Sequence, residues 1–122
     1  MASMATPTGG AVRGEIQGET RLARLLGSAV RISGDPDDEY FGSIRDLADV
    51  TDATHRCMSR IVRDPEAVCV DAGANIGVFT LALARLCPRG RVYSFEPSPT
   101  ASRFLGQNVG LNGFGNVEIV QT

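Results

Sequence analysis

The stretch AVCVDAGANIGVFTLALA, residues 67–84, constrains the fold more than any other part of the chain. A short apolar run ends at Asp71, two glycines four positions apart follow, and a second apolar run begins. A short apolar, β-branched run is typical of a strand buried on both faces of a parallel sheet. The glycines allow a sharp turn after that strand, and the second run predicts a well-covered helix from Ile76 to Cys87.

The segments that follow repeat this alternation of strand and helix. RVYSF predicts a second strand, and Ser98 and Pro99 suit the cap and first position of a second helix. Gly113 suits the left-handed end of that helix, and NVEIV predicts a third strand. Two right-handed crossovers therefore give an α/β fold, a truncated Rossmann-like domain with three parallel strands in the order 3-2-1 and flanking helices.

The first half of the chain predicts a different organisation. Residues 1–18 are small and polar and predict a disordered tail, and residues 19–66 predict an N-terminal helical segment. The leucine spacing favours a short helix from Glu19 to Ser28, although AVRIS would also suit a strand. Two more helical faces follow, formed by Tyr40, Phe41, Ile44 and Leu47, and, in a helix that begins near Thr51 or Asp52, by Cys57, Met58, Ile61 and Val62.

Two polar features of this segment raise the question of a metal or a catalytic group. The acidic turn at residues 35–39 does not match a calcium loop, because Tyr40 and Asp46 stand where glycine and glutamate are required. Helix capping is the favoured interpretation of those acids. The single histidine, His55, is more often a surface residue at such a position than a general base.

Composition excludes several classes of function. The 122-residue chain is long enough for one small domain, and its net charge of −2 argues against a nucleic-acid partner. Its three cysteines, Cys57, Cys69 and Cys87, lack the spacing of a zinc site and fit a reducing, cytoplasmic environment. No apolar run reaches the length of a membrane span, and the N-terminus lacks a signal peptide. We therefore expect no metal and no membrane partner.

The glycine loop favours one cofactor over another. Ligands of such folds bind beyond the carboxyl ends of the strands, where Asp71 and Glu96 are placed. A dinucleotide fingerprint starting at Gly73 would need glycine at positions occupied by Asn75 and Val78. S-adenosylmethionine carries a cationic amino-acid part and a free ribose diol, which an acid at each strand end would suit. The competing structural interpretation is that the glycines serve packing and that Asp71 caps a helix.

The motifs VDAGANIG, FEPSP and NVGLNG, followed by NV, resemble the FkbM-type family of S-adenosylmethionine-dependent methyltransferases. The resemblance implies O-methylation of a hydroxyl on a small-molecule acceptor, a sugar or secondary metabolite. It places Glu96 at the ribose and Pro97 and Ser98 beside the adenosine. The residues that it places around the methionine part are Asp71, Gly73, Ala74, Asn75 and Gly77.

The resemblance also implies that residues 67–122 are the cofactor-binding half of a domain whose C-terminal half is absent. The catalytic residues are then unassigned, and the chain alone is expected to be inactive and to self-associate through an open strand edge. Two alternatives remain open. One is a non-catalytic remnant or binding module that keeps the fold, and the other is a fragment of a nucleotide-binding oxidoreductase, which the glycine spacing disfavours.

Overall fold

The structure is a computed structural model that describes residues 18–122. Three layers are present: an antiparallel hairpin, a helical layer, and a parallel three-stranded sheet. The predicted tail lies outside the described residues, apart from Gly18. The elements are β1 (Glu19–Leu25), β2 (Ser28–Gly34), α1 (Glu39–Gly42), α2 (Ala53–Ile61), β3 (Val68–Ala72), α3 (Val78–Leu86), β4 (Arg91–Phe95), α4 (Pro99–Leu111) and β5 (Val117–Val120).

The segment predicted as a helix from Glu19 to Ser28 forms the first strand and the turn of a β-hairpin, so that prediction is wrong. The alternative, that AVRIS forms a strand, is confirmed by β2. β1 and β2 pair antiparallel along their whole length. Their connection is Leu26 and Gly27, both with positive φ, of 50° and 80°. This is the backbone that a two-residue hairpin turn requires. Alternate side chains of the hairpin, including Ala23 and Leu25, are buried against the helical layer.

α1 is a single turn, shorter than the predicted helical face. Phe41 and Ile44 are buried as expected, but Leu47 lies beyond the helix with 68% of its surface exposed. Capping by the acidic turn is confirmed, because the Asp38 carboxylate accepts a hydrogen bond from the Phe41 amide at 2.9 Å. Asp35 in turn accepts from the Asp37 amide at 2.9 Å.

α2 begins directly after Asp52, as predicted, but only half of the predicted apolar face is covered, by the packing of Met58 and Val62 against the core. Cys57 and Ile61 are exposed, and the buried residue is His55, whose exposure is 1%. Its ring stacks on Phe79 of α3 at 4.3 Å between centroids, and its Nδ1 accepts from the Asp52 amide at 3.1 Å. The prediction of a surface histidine is therefore wrong, because this ring packs between two helices.

The second half of the chain forms the predicted parallel sheet. β4 lies in the middle and pairs with β3 on one side and β5 on the other. Ser98 caps α4 with Pro99 in the first helical position, and Gly113 follows the helix with a φ of +73°. α3 begins at Val78, two residues later than predicted, because Gly77 before it has a φ of +101°.

One face of this sheet is open, which corrects the prediction that β3 is buried on both faces. Val68 and Val70 are 68% and 63% exposed, whereas Cys69 and Asp71 point to the other face and are half-buried. α3 and α4 both pack on that other face, as two successive right-handed crossovers require. β3 is also an edge strand of the described sheet.

Asn108 of α4 and Asn112, the residue directly after this helix, hold the hairpin in place. Asn108 accepts from the Ser33 amide at 2.6 Å and donates to the Ser33 carbonyl at 3.0 Å. Asn112, one turn later, does the same with Arg31 at 2.9 and 2.8 Å. The two side-chain amides thus bond to alternate residues of β2, much as a neighbouring strand would. Asn108 also donates to the Ile76 carbonyl at 2.7 Å, which joins the hairpin to the glycine loop.

Candidate functional site

The glycine loop lies at the carboxyl ends of β3 and β4. The amides of Gly73 and Ala74 both donate to the Phe95 carbonyl, at 2.8 and 2.9 Å, so the loop is bonded to the end of the neighbouring strand. Gly73, Asn75 and Gly77 have φ values of +74°, +54° and +101°. This run of left-handed positions turns the chain within a few residues and explains why two of them are glycine.

The two glycines meet different surroundings. A Cβ on Gly77 would come within 2.6 Å of Leu105 Cδ1, so this glycine allows α4 to approach the loop. A Cβ on Gly73 would meet no atom within 4 Å. Packing therefore accounts for Gly77, whereas Gly73 is explained by its positive φ, and the space beside its Cα is open.

Glu96 is buried at 8% exposure, and both of its carboxylate oxygens are held by backbone amides. Oε1 accepts from Asn75 at 2.7 Å, and Oε2 accepts from Ser98 at 2.9 Å. An ionised carboxylate has about four lone-pair sites, so each oxygen keeps one for a ligand hydroxyl. The two bonds also tie the glycine loop to the start of α4. Replacing Glu96 would therefore disturb local structure as well as any contact to a ligand.

Asp71 points toward the helical layer and is bonded to a buried hydroxyl. Its Oδ2 accepts from Thr80 Oγ1 at 2.7 Å, and Thr80 lies within 2.7 Å of Ser94 Oγ. Burial raises the pKa of Asp71 most, the Thr80 hydrogen bond lowers it, and the nearby Glu96 charge raises it. The acid therefore bonds to the third residue of α3 through its side chain and does not act as that helix's N-cap, which is Gly77.

Two cavities meet at the glycine loop. The larger, about 330 Å³, is lined by Glu96, Ser98, Asn75 and the acidic turn residues Asp35 and Asp38, among others. That volume is at the lower end of the range for small-molecule sites. The smaller, about 180 Å³, lies between Tyr40 and the loop itself, residues 73–79. Because Asn75 and Ile76 line both, the two cavities are adjacent.

The structure brings most of the predicted site residues together. The loop residues Gly73, Ala74, Asn75 and Gly77 line the smaller cavity, and Glu96 and Ser98 line the larger one. Asp71 and Pro97 line neither of these cavities, although both adjoin residues that do. Within residues 18–122 no group of three or more metal-binding side chains is clustered, and no helix has the length and apolar character to cross a membrane.

Sequence reasoning missed several residues of the site. Asp35, Asp38 and Tyr40 reach it from the N-terminal half, which only the folded arrangement reveals. Thr80 and Ser94 left a clearer signal, because each is a polar residue inside an otherwise apolar element. Such residues, when buried, need hydrogen-bond partners.

The comparison with known families decides the membership of the chain. Residues 46–121 match the TRM5/TYW2 methyltransferase domain. The chain belongs to this family. The match covers α2 and the whole strand–loop–helix region, so the Rossmann-like methyltransferase fold predicted from the sequence is confirmed. The comparisons give no support to the narrower FkbM-type assignment.

Similar curated proteins match short stretches of the chain. The AMB antimetabolite synthetase AmbE of Pseudomonas aeruginosa is 50% identical over 50 residues, which are 41% of this chain and 2% of AmbE. The tRNA(Phe) (4-demethylwyosine(37)-C(7)) aminocarboxypropyltransferase of Methanocaldococcus jannaschii is 39% identical over 56 residues, 46% of this chain and 22% of that protein. The chain thus spans a small part of these relatives.

A solved structure agrees on the fold. M. jannaschii TYW2 in complex with AdoMet superposes with a TM-score of 0.55 at 23% identity, over 84% of this chain and 43% of that one. S-adenosylmethionine is therefore the cofactor associated with this fold, as the glycine loop and Glu96 predict.

Proposed function

We propose that this chain binds S-adenosylmethionine and forms the cofactor-binding part of an O-methyltransferase. The observation that carries the proposal is Glu96, whose carboxylate is fixed by the Asn75 and Ser98 amides at the rim of a cavity. A carboxylate held in this way offers its remaining lone pairs to the two hydroxyls of a ribose. The bound cofactor would supply an activated methyl group.

The charges around the cavity fit this cofactor. Asp35, Asp38 and Glu96 line the larger cavity, and none of the basic side chains in residues 18–122 lines it. A pyrophosphate would meet three acids there, whereas a molecule with a sulfonium and an ammonium group carries the complementary charge. The open space at Gly73 leaves room for the amino-acid part beside Asp71. The chemistry of these groups thus fits S-adenosylmethionine better than a dinucleotide.

Fewer residues of the chain bear on the methyl acceptor than on the cofactor. We keep a hydroxyl of a sugar or secondary metabolite, as the FkbM-type motifs imply, and no catalytic base is assigned within residues 18–122. Transfer to RNA is the second candidate, because one relative is named for modifying tRNA(Phe). The net charge of −2 favours the small molecule. A non-catalytic binding module, or a chain that requires further structure for activity, is the remaining alternative.

Isothermal titration calorimetry with S-adenosylhomocysteine and NAD tests the cofactor. We expect binding of S-adenosylhomocysteine and none of NAD. Glu96→Ala should weaken binding by about 1.5–3 kcal/mol, the range for hydrogen bonds to a charged group. Far-UV circular dichroism checks that this variant is folded, because Glu96 also holds the loop. Glu118→Ala, an exposed acid on β5 that pairs with Arg91, is the matched control and should leave binding unchanged.

Tighter binding of NAD would overturn the cofactor assignment. Unchanged affinity in Glu96→Ala would remove that residue from the site while leaving the cofactor in place. Titration of a labelled tRNA, followed by fluorescence anisotropy, separates the two acceptor classes, since saturable binding would favour RNA over a small molecule.

A further inference from the structure

The side chains of Thr80 and Ser94 form a hydrogen-bonded pair behind Asp71. Both residues are fully buried, at 0% exposure, although one belongs to the apolar helix α3 and the other to the middle strand β4. Asp71 and Ser94 are paired neighbours in the parallel sheet, so their side chains lie on the same face, against α3. Neither hydroxyl has a part in the proposed contacts to the cofactor.

The direction of these hydrogen bonds follows from counting protons. An ionised Asp71 has only acceptors, so Thr80 must donate its single hydroxyl proton to Oδ2. The Thr80 oxygen then accepts from Ser94, and the chain runs in one direction, from Ser94 through Thr80 to Asp71. Thr80 is the side chain that bonds to Oδ2, and Asp71 as a whole is half-buried beside the glycine loop, so part of the residue is exposed to solvent.

We propose that Thr80 and Ser94 are positioning residues whose hydroxyls hold Asp71 ionised and oriented for the cationic amino group of the cofactor. The inference rests on the proposed function. Burial and the Glu96 carboxylate both disfavour the charge on Asp71 and raise its pKa, and the hydrogen bond from the Thr80 hydroxyl partly offsets them. Without it, Asp71 would take up a proton more readily and lose its attraction for an ammonium group.

Binding of two ligands distinguishes the positioning of Asp71 for the amino group from contacts to the adenosine. S-adenosylhomocysteine carries the amino-acid group, whereas 5′-methylthioadenosine has the same nucleoside without it. Thr80→Val removes the hydroxyl with little change of volume, and we expect it to weaken S-adenosylhomocysteine binding about tenfold or more. Binding of methylthioadenosine should change less than twofold. Thr80→Ser restores the hydroxyl and should recover most of the affinity.

The pH dependence of binding provides a readout that a packing role would not affect. Asp71 must be ionised to bind an ammonium group, so S-adenosylhomocysteine affinity should fall as pH drops through the pKa of Asp71. Thr80→Val raises that pKa, and the midpoint of the loss should move to higher pH. Glu96 is the other acid near Asp71. The pH dependence of methylthioadenosine binding reports on Glu96 separately, because this ligand has the ribose but lacks the amino-acid group.

A matched control comes from the hairpin, where Thr20 and Ser33 form another pair of hydroxyls, 2.6 Å apart. Thr20→Val should leave both affinities and both pH profiles unchanged. Equal weakening of the two ligands by Thr80→Val, or an unshifted midpoint, would overturn the positioning role. Failure of the unaltered chain to bind either ligand would instead overturn the proposed function.

Discussion

The hairpin of residues 19–34 and the sheet formed by β3, β4 and β5 differ in how completely other elements cover their apolar faces and strand edges. In the hairpin, buried side chains such as Val30 and Ile32 pack against the helices, and α4 covers the backbone edge of β2 through Asn108 and Asn112. In the sheet, Val68 and Val70 are exposed, and β3 has a free edge within the described residues. The region with the site motifs is therefore the less enclosed of the two.

The difference has a physical cause in the chain topology. Both crossover helices lie on one face of the sheet, so the other face of β3 has no element among residues 18–122 to cover it. The hairpin instead stacks on the outer side of those same helices and buries its apolar side chains there. Stability should accordingly depend more on the hairpin and its contacts to α4 than on the apolar strip of β3.

Replacing Asn108 should have the largest effect on stability. Asn108→Ala would leave the Ser33 amide and two carbonyls without partners in a buried place, at a cost of about 3 kcal/mol or more. Asn112→Ala removes the same type of contact at a less buried site and should cost about 1 kcal/mol. Urea denaturation followed by circular dichroism measures both. Equal losses would show that the hairpin is not anchored mainly through Asn108.

Two valines in strands compare the regions directly. Val30, on the hairpin, is 1% exposed, and Val30→Ala should cost about 2 kcal/mol through lost burial and an unfilled cavity. Val70, on the open face, is 63% exposed, and Val70→Ala should change stability by less than about 0.5 kcal/mol. The same denaturation experiment applies. A large loss for Val70→Ala would mean that something covers the open face in solution.

His55 should make stability depend on pH by a smaller amount. Burial lowers its pKa below the usual 6.5, an effect that Asp52 partly opposes and Arg56 reinforces. The unfolded chain then binds the proton more readily. The contribution of His55 to the free energy of unfolding is therefore fully present above about pH 6.5 and is lost as pH falls toward the folded-state pKa. His55→Phe should keep the stack on Phe79 and remove this dependence. Thermal melts between pH 5 and 7 test it, and identical slopes would contradict the account.

The open face leads to a proposal about association. An exposed apolar strip on a free edge strand favours pairing with another copy of the chain. Size-exclusion chromatography with light scattering should show oligomers that Val70→Lys reduces, while folding stability stays nearly unchanged. Leu22→Lys, at an exposed hairpin leucine, is the control and should have no such effect. A monodisperse monomer for the unaltered chain would refute the proposal.

How far the fold could be predicted depended on local signals. The β3–α3 turn was readable because an apolar run, an acid and two glycines stand together in sequence. The hairpin was not, because its turn places Leu26 at positive φ, where asparagine or aspartate would have given a clear signal. Its leucines also happen to fit helical spacing.

Several features of the site could likewise not be predicted from the sequence. Glu96 could be placed at a strand end, but its burial depends on the bonds from Asn75 and Ser98, which form only when the loop and α4 meet. The contribution of Asp38 and Tyr40 depends on how the N-terminal segment packs over the loop. Such contacts join residues that are distant in sequence, and one sequence carries no periodicity that would indicate them.

A titration of ¹⁵N-labelled protein with S-adenosylhomocysteine, followed by amide NMR, tests the central claim that the cofactor binds at the glycine loop and Glu96. We expect the largest shifts at Gly73, Asn75 and Ser98, whose amides surround the site, and little change at Ala23 and Leu25 of the hairpin. Shifts confined to the hairpin, or none at saturating ligand, would contradict this claim.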